Sequence, residues 1–276
     1  MLDNNTIIDF HTHVFPDKIA EKTIPYLMEK GNIPSFGNGT LSDLKEKMKE
    51  SSTDKAVVLP VCTKPSQFES INKFARILNE EENIFSFGGI HPDNNNIKEK
   101  LLYLKSQGFK GIKLHPDYQE AYINDERNYN IVKTAVELDM YVTIHAGLDV
   151  AFPDDIHCPP KESAKLIERI YNGDYNVEPR IILAHLGGID MFDDVEKYLV
   201  GLPVYFDLAV ILTFSSDKIE QIERIIKNHG ADKILYASDY PWSSLKENVN
   251  IAKALNLSDR EKELVFYKNA GKILGI

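Results

Sequence analysis

Five side chains able to bind a metal or move a proton each close a short apolar run. They are His11 and His13 in IIDFHTH, His145 in YVTIHAG, His185 in IILAHLGG and Asp239 in ILYASDYPW. In an extended strand, residues two apart point to the same side, so both imidazoles of His11-Thr12-His13 face one way. Two neutral imidazoles so spaced can share one Zn²⁺, each nitrogen about 2.0–2.1 Å from it. Asp9 lies on the same side one step deeper, where its carboxylate could orient a ligand histidine. Asp239 can ligate an ion, take a proton from a bound water, or do both in turn.

The elements that must position these groups repeat along the chain. Apolar, β-branched runs occupy 6–14, 55–61, 84–91, 111–115, 140–145, 180–185, 204–208 and 233–238. Continuous rather than alternating apolarity marks strands covered on both faces, as parallel sheets require. Between them lie stretches of helical length, such as IKEKLLYLKSQG and DKIEQIERIIKNHG. In the latter, Ile219, Ile222, Ile225 and Ile226 recur at three and four. Alternating strand and helix predict an α/β fold, a (β/α)8 TIM barrel forming a single domain over 1–276. The polar residues close the first, fifth, sixth and eighth strands. Only a closed barrel brings those ends together, at the C-terminal face of its strands.

Other segments carry their own expectations. The stretch 16–39 is longer than a strand-to-helix loop needs and predicts a helix plus a mobile flap at the barrel mouth. Ser258-x-x-Glu261 reads as a capping box opening the last helix. His229 reads as a helix C-terminal residue interacting with the dipole. The loop 149–160, with Phe152, His157 and Cys158, is long enough to fold over the mouth.

Composition narrows the function class. The chain has 276 residues, 43% hydrophobic and 27% charged, with a net charge of −10. That balance disfavours nucleic acid and anionic membrane as partners. Two cysteines, Cys62 and Cys158, make no disulfide framework. The N-terminal segment lacks the basic and apolar regions of a signal peptide, and no apolar run reaches the roughly 20 residues of a membrane span. A cytoplasmic enzyme with a small-molecule substrate is expected, with a homodimer as the expected assembly.

The series DFHTHVFP, GGIHPD, GFKGIKLHPDYQ, TIHAG, ILAHLGG, VYFDLA, ILYASDYPW and KNAGKILG resembles the amidohydrolase superfamily. More closely, it is similar to the amidohydrolase-related metal-dependent TIM-barrel hydrolases, a group that includes decarboxylases akin to aminocarboxymuconate semialdehyde decarboxylase. The resemblance implies His11, His13 and His145 as metal ligands, and Asp239 as ligand and general base. It implies that His185 positions or deprotonates an attacking water, or binds a second metal. Some relatives carry a carboxylated lysine at the fourth strand; here that would be Lys113, with His185 completing a two-metal site. One divalent ion, Zn²⁺ first, is the expected cofactor. His91, His115, Tyr118 and Trp242 are the expected substrate contacts, and Asp207 could support the site.

The expected reaction is hydrolysis of a small amide, ester or lactone by a metal-activated water. The alternative keeps the site and makes it a non-oxidative decarboxylase, which a cationic group facing the substrate carboxylate would favour; Lys113 is the basic candidate. A non-catalytic metal- or ligand-sensing barrel is the rival from another class, and a sealed site would support it.

Overall fold

The structure, a computed structural model, describes residues 6–276. Residues 1–5, part of the segment read for a leader, lie outside it. Among the described residues nine short strands run in chain order: β1 (Ile8–Thr12), β2 (Lys55–Val58), β3 (Ile84–Ser86), β4 (Gly88–Gly89), β5 (Gly111–Leu114), β6 (Tyr141–Ile144), β7 (Ile181–Leu183), β8 (Tyr205–Asp207) and β9 (Ile234–Leu235). Each falls inside one of the apolar runs, and every ladder is parallel.

β3 and β4 are one strand interrupted at Phe87, whose N–H still donates to Val58 O at 3.0 Å. They share one barrel position, leaving eight. The barrel closes between β1 and the segment after β9. Phe10 N–H donates to Tyr236 O (2.9 Å), Asp239 N–H to His11 O (2.9 Å), and His13 N–H to Tyr240 O (2.7 Å). This is a (β/α)8 barrel, and its closing seam runs through three of the five chemistry-bearing residues.

Helices cover the outside. Helix Ile219–His229 buries Ile222, Ile225 and Ile226, as their spacing requires. Ser258 caps helix Asp259–Glu263 in a reciprocal box with Glu261. That helix then passes through a wider turn, Leu264–Lys268, into Asn269–Leu274. Asn269 donates to Ala231 O and Ile234 O, fastening the final helix to β9.

The segment 16–39 contains the expected helix and departs from expectation after it. It holds α1 (Asp17–Gly31) and then lies against the loop after β9, with Phe36 N–H donating to Pro241 O at 2.7 Å. Gly39 N–H donates to Tyr240 Oη (3.2 Å), and Tyr240 Oη donates to Asp43 Oδ2 (2.6 Å) on α2 (Leu41–Ser51). Backbone and side-chain bonds anchor this stretch, so it is not a free flap.

His229 also differs. It is buried; its Nε2–H donates to Val204 O (2.8 Å), and its Nδ1 accepts Gly201 N–H (3.1 Å). Burial drives its pKa down to about 4. A neutral ring stacked 4.0 Å from Phe206 is a packing residue, not a charge on the helix dipole. Among the described residues no helix is long and apolar enough to cross a membrane.

Candidate metal centre

His11 is the penultimate residue of β1, His13 lies just beyond the strand, and Asp239 follows β9 across the closing seam. His11 Nδ1 is 2.8 Å from Asp207 Oδ2, so it must carry the hydrogen. His13 Nδ1 is 3.0 Å from Leu59 O and must donate likewise. In the neutral rings both Nε2 atoms therefore present lone pairs, and they lie 3.2 Å apart. Asp239 Oδ1 completes a triangle, 3.2 Å from His13 Nε2 and 3.6 Å from His11 Nε2.

Donor atoms around a tetrahedral ion with bonds of 2.0–2.1 Å sit about 3.4 Å from one another. The triangle already has that size. Three electron-pair donors turned toward one another repel unless a cation lies between them, so the residues fit a divalent metal. Burial, reinforced by the charge of Lys113, holds His11 well below the usual imidazole range, so its Nε2 stays unprotonated. Burial pushes Asp239 upward, but its contacts with His13 and His11 outweigh this, so its carboxyl lies well below the usual carboxylate range.

Backbone conformation helps aim the side chains. Asp239 and His185 have φ of 68° and 57°, a left-handed region that non-glycine residues seldom occupy. Such strain costs on the order of 1–3 kcal/mol and persists where surrounding contacts impose it. Gly147, φ 89°, lets the chain after His145 pass the backbone of Ile189, where a Cβ would collide.

The orienting carboxylate is Asp207 on β8. Asp9 instead accepts backbone N–H groups from Ser238 (2.9 Å) and His11 (3.2 Å). Burial raises the Asp9 pKa to about 7. Asp9 faces the seam rather than a ring because β1 must be fastened to the last strand there.

His145 and His185 meet each other: His145 Nδ1 lies 2.9 Å from His185 Nε2. His145 does not join the triangle of His11, His13 and Asp239. Its ring stacks on His115, with centroids 4.1 Å apart, and both turn toward Asp149. Lys113, on β5, is buried with Nζ 3.2 Å from His11 Nε2. Burial lowers its pKa to about 8, against the opposing pull of Asp207 and Asp239.

The sequence matches the amidohydrolase family over residues 8–276. The chain belongs to this family. Solved structures agree on the fold. A candidate amidohydrolase from Staphylococcus aureus aligns with a TM-score of 0.69 at 19% identity, covering 98% of this chain and 100% of the other. The 5-carboxyvanillate decarboxylase of Novosphingobium aromaticivorans, with bound manganese, gives 0.70 at 16%, covering 98% and 97%. A candidate 2-pyrone-4,6-dicarboxylic acid hydrolase from Pseudomonas putida gives 0.67 at 16%, covering 98% and 97%. Comparison with curated proteins gave no match.

Around the centre of this amidohydrolase, Tyr118 meets His115 edge-on at 4.8 Å and Phe152 at 5.0 Å. Lys30 of α1 lies over both aromatic rings. Phe152 thus brings the loop 149–160 to the mouth, while Cys158 is buried against Ser163. His91 is occupied locally, its Nδ1 accepting Asp93 N–H at 3.1 Å. Trp242 is half-buried, and its backbone N–H donates to Asp239 O. Sequence reasoning missed Asp117 and Asp149. The signals were faint: Asp117 follows His115 by two positions, and Asp149 follows His145 by four.

Proposed function

We propose that this amidohydrolase holds a divalent ion on His11, His13 and Asp239 and removes CO₂ from a small aromatic or unsaturated carboxylic acid. The observation that carries this reading is Lys113, a buried amine 3.2 Å from His11 Nε2 and therefore next to the metal seat. It is placed to pair with a substrate carboxylate. The manganese-bearing decarboxylase of the same fold supports the reading. Two imidazole nitrogens and one carboxylate oxygen suit Zn²⁺ and Mn²⁺ alike. When bound, the ion would supply a Lewis acid for a substrate oxygen.

The chain's own residues supply the rest. Asp207 fixes the His11 tautomer, and Lys113 orients the carboxylate. Tyr118 and Phe152 offer aromatic walls. Breaking the carbon–carbon bond leaves its electron pair on the substrate carbon, which must gain a proton as CO₂ departs. Asp239, ionised at rest, can carry that proton from a substrate hydroxyl or solvent to the carbon.

A second reading is hydrolysis of an amide, ester or lactone, favoured by the same ionised Asp239, a ready base for an attacking water. The deciding experiment incubates the metal-loaded enzyme with aromatic and unsaturated carboxylates, and separately with lactones, esters and amides. Release of CO₂ is expected. Acid release without CO₂ would instead establish the hydrolase. Full turnover by Asp239→Asn would remove that residue from proton transfer in either case.

A further inference from the structure

The metal seat and Lys113 are nearly sealed. His11 and Lys113 are each 1% exposed and Asp239 8%. No substrate reaches them in this state, so part of the mouth must move. The segment 149–156 is built to do so. Its ends are fixed: Leu148 N–H donates to Ile189 O (3.2 Å), and Asp117 Oδ1 holds His157 through its backbone N–H (3.3 Å) and Nδ1 (3.1 Å). Between those ends no residue is buried. The backbone bonds there stay inside the segment, from Phe152 N–H to Asp149 O (2.9 Å) and from Asp155 N–H to Phe152 O (3.3 Å). Side chains tie it to the barrel: Tyr122 Oη donates to Asp155 Oδ2 (2.6 Å), Asp149 Oδ2 lies 3.4 Å from His115 Nε2, and Phe152 meets Tyr118 edge-on. A strap fixed at both ends and lightly held between them can swing as a unit.

Lys30, in the last turn of α1, joins that strap to the barrel wall. Its Nζ lies 3.8 Å from the centre of the Phe152 ring and 4.6 Å from that of Tyr118. Phe152 belongs to the strap, whereas Tyr118 follows β5 and packs on His115 beside the metal centre. Among the described residues no carboxylate pairs with Lys30, so the two ring faces are its partners. An ammonium shared by two ring faces draws both rings toward it. The end of α1 also comes close to the strap: a Cβ on Gly31 would lie 3.2 Å from Val150 Cγ2.

We propose that Lys30 is the latch of a lid, holding the strap 149–156 over the metal centre, and that substrate and product pass when this latch lets go. Lys30 acts on the site through Phe152 and Tyr118, so it is a positioning residue. The proposal rests on His11, His13 and Asp239 being the place of reaction, and it holds for CO₂ release and hydrolysis alike.

Metal exchange tests it without reference to turnover. Mn²⁺ loading of the stripped protein, and Mn²⁺ release to excess chelator, are timed in the native protein, Lys30→Met and Lys30→Arg. A looser lid speeds both directions equally. In Lys30→Met both rates should rise by about 3- to 10-fold, as loss of one cation–π contact allows, with the equilibrium affinity unchanged. Lys30→Arg, which keeps the cation, should stay close to native. In a Phe152→Leu background Lys30→Met should add little, because the ring it holds is gone. Circular dichroism confirms that the variants fold. Unchanged rates in Lys30→Met would overturn the proposal. So would weaker affinity at an unchanged loading rate, which would make Lys30 a support of the seat. An equal acceleration with and without Phe152 would reduce Lys30 to a charge on the end of α1. Cleavage by proteinase K within 150–156, mapped by mass spectrometry, reads the same opening with no metal present. It should be faster in Lys30→Met by a similar factor, and equal cleavage would overturn the latch. A native protein that bound no Mn²⁺ would refute the seat, while this cleavage would still decide the lid.

Discussion

Asp207 grips His11 from behind: its Oδ2 lies 2.8 Å from His11 Nδ1, while its Oδ1 accepts the N–H groups of His185 (2.9 Å) and Ala209 (3.1 Å). Both oxygens face donors, so one carboxylate sets the ligand tautomer of β1 and ties it to the start of the turn after β7. In Asp207→Asn the amide oxygen would stay with the two backbone donors. The NH₂ would then face His11 Nδ1 and force that nitrogen to accept, moving the ring hydrogen to Nε2. Metal affinity should fall about 10- to 100-fold with the fold intact. A competitive chelator titration measures this, and unchanged affinity would show that Asp207 does not set the tautomer.

Lys113 divides the two chemical readings. Lys113→Met keeps the length and apolar stem while deleting the charge. For a carboxylated substrate, kcat/KM should fall by about 10²-fold or more, the loss of a buried charge-assisted contact. Turnover of uncharged esters or lactones should change far less. Equal losses on both substrate classes would make Lys113 a support for His11 alone.

The anchored segment before α2 gives a stability prediction. A Cβ on Gly37 would run into the ring of Tyr240 and the carboxylate of Asp43, which are themselves bonded to each other. Gly37→Ala should therefore cost about 1–3 kcal/mol, as overpacking does. Urea denaturation would show a lower midpoint at unchanged slope. An unshifted midpoint would mean that this stretch yields freely.

His229 predicts an acid-side loss of stability. The folded chain keeps its ring neutral down to about pH 4, whereas an unfolded chain protonates it near 6.5. Between those values protons bind preferentially to the unfolded state, so stability falls as pH drops from 6.5 to 4 and this contribution then levels off. The shift amounts to about 3 kcal/mol. In His229→Gln that part of the pH slope should vanish, even if the variant is less stable at neutral pH. Parallel slopes for both proteins would contradict the assignment.

The strands were legible because burial on both faces demands unbroken apolar runs, and all of β1 to β9 lie within them. The interruption at Phe87 was not legible, since Ser-Phe-Gly-Gly reads as apolar as its neighbours. His11, His13 and Asp239 could be read from their places at strand ends. The direction of His145 could not. It depends on the Ala209 carbonyl, 64 positions away in sequence, reached only through His185. Asp207, Asp117 and Asp149 likewise gain meaning from tertiary contacts. A lone aspartate in a loop or at a strand end looks the same in sequence whether it caps a turn or faces an imidazole.

In the proposed metal centre His11 Nε2, His13 Nε2 and Asp239 Oδ1 share one cation. Anomalous scattering from a crystal grown without chelator, in Mn²⁺ or Zn²⁺, tests it directly. A peak is expected about 2.0–2.2 Å from each of those three atoms. An active, metal-loaded crystal with no peak at that position would contradict it.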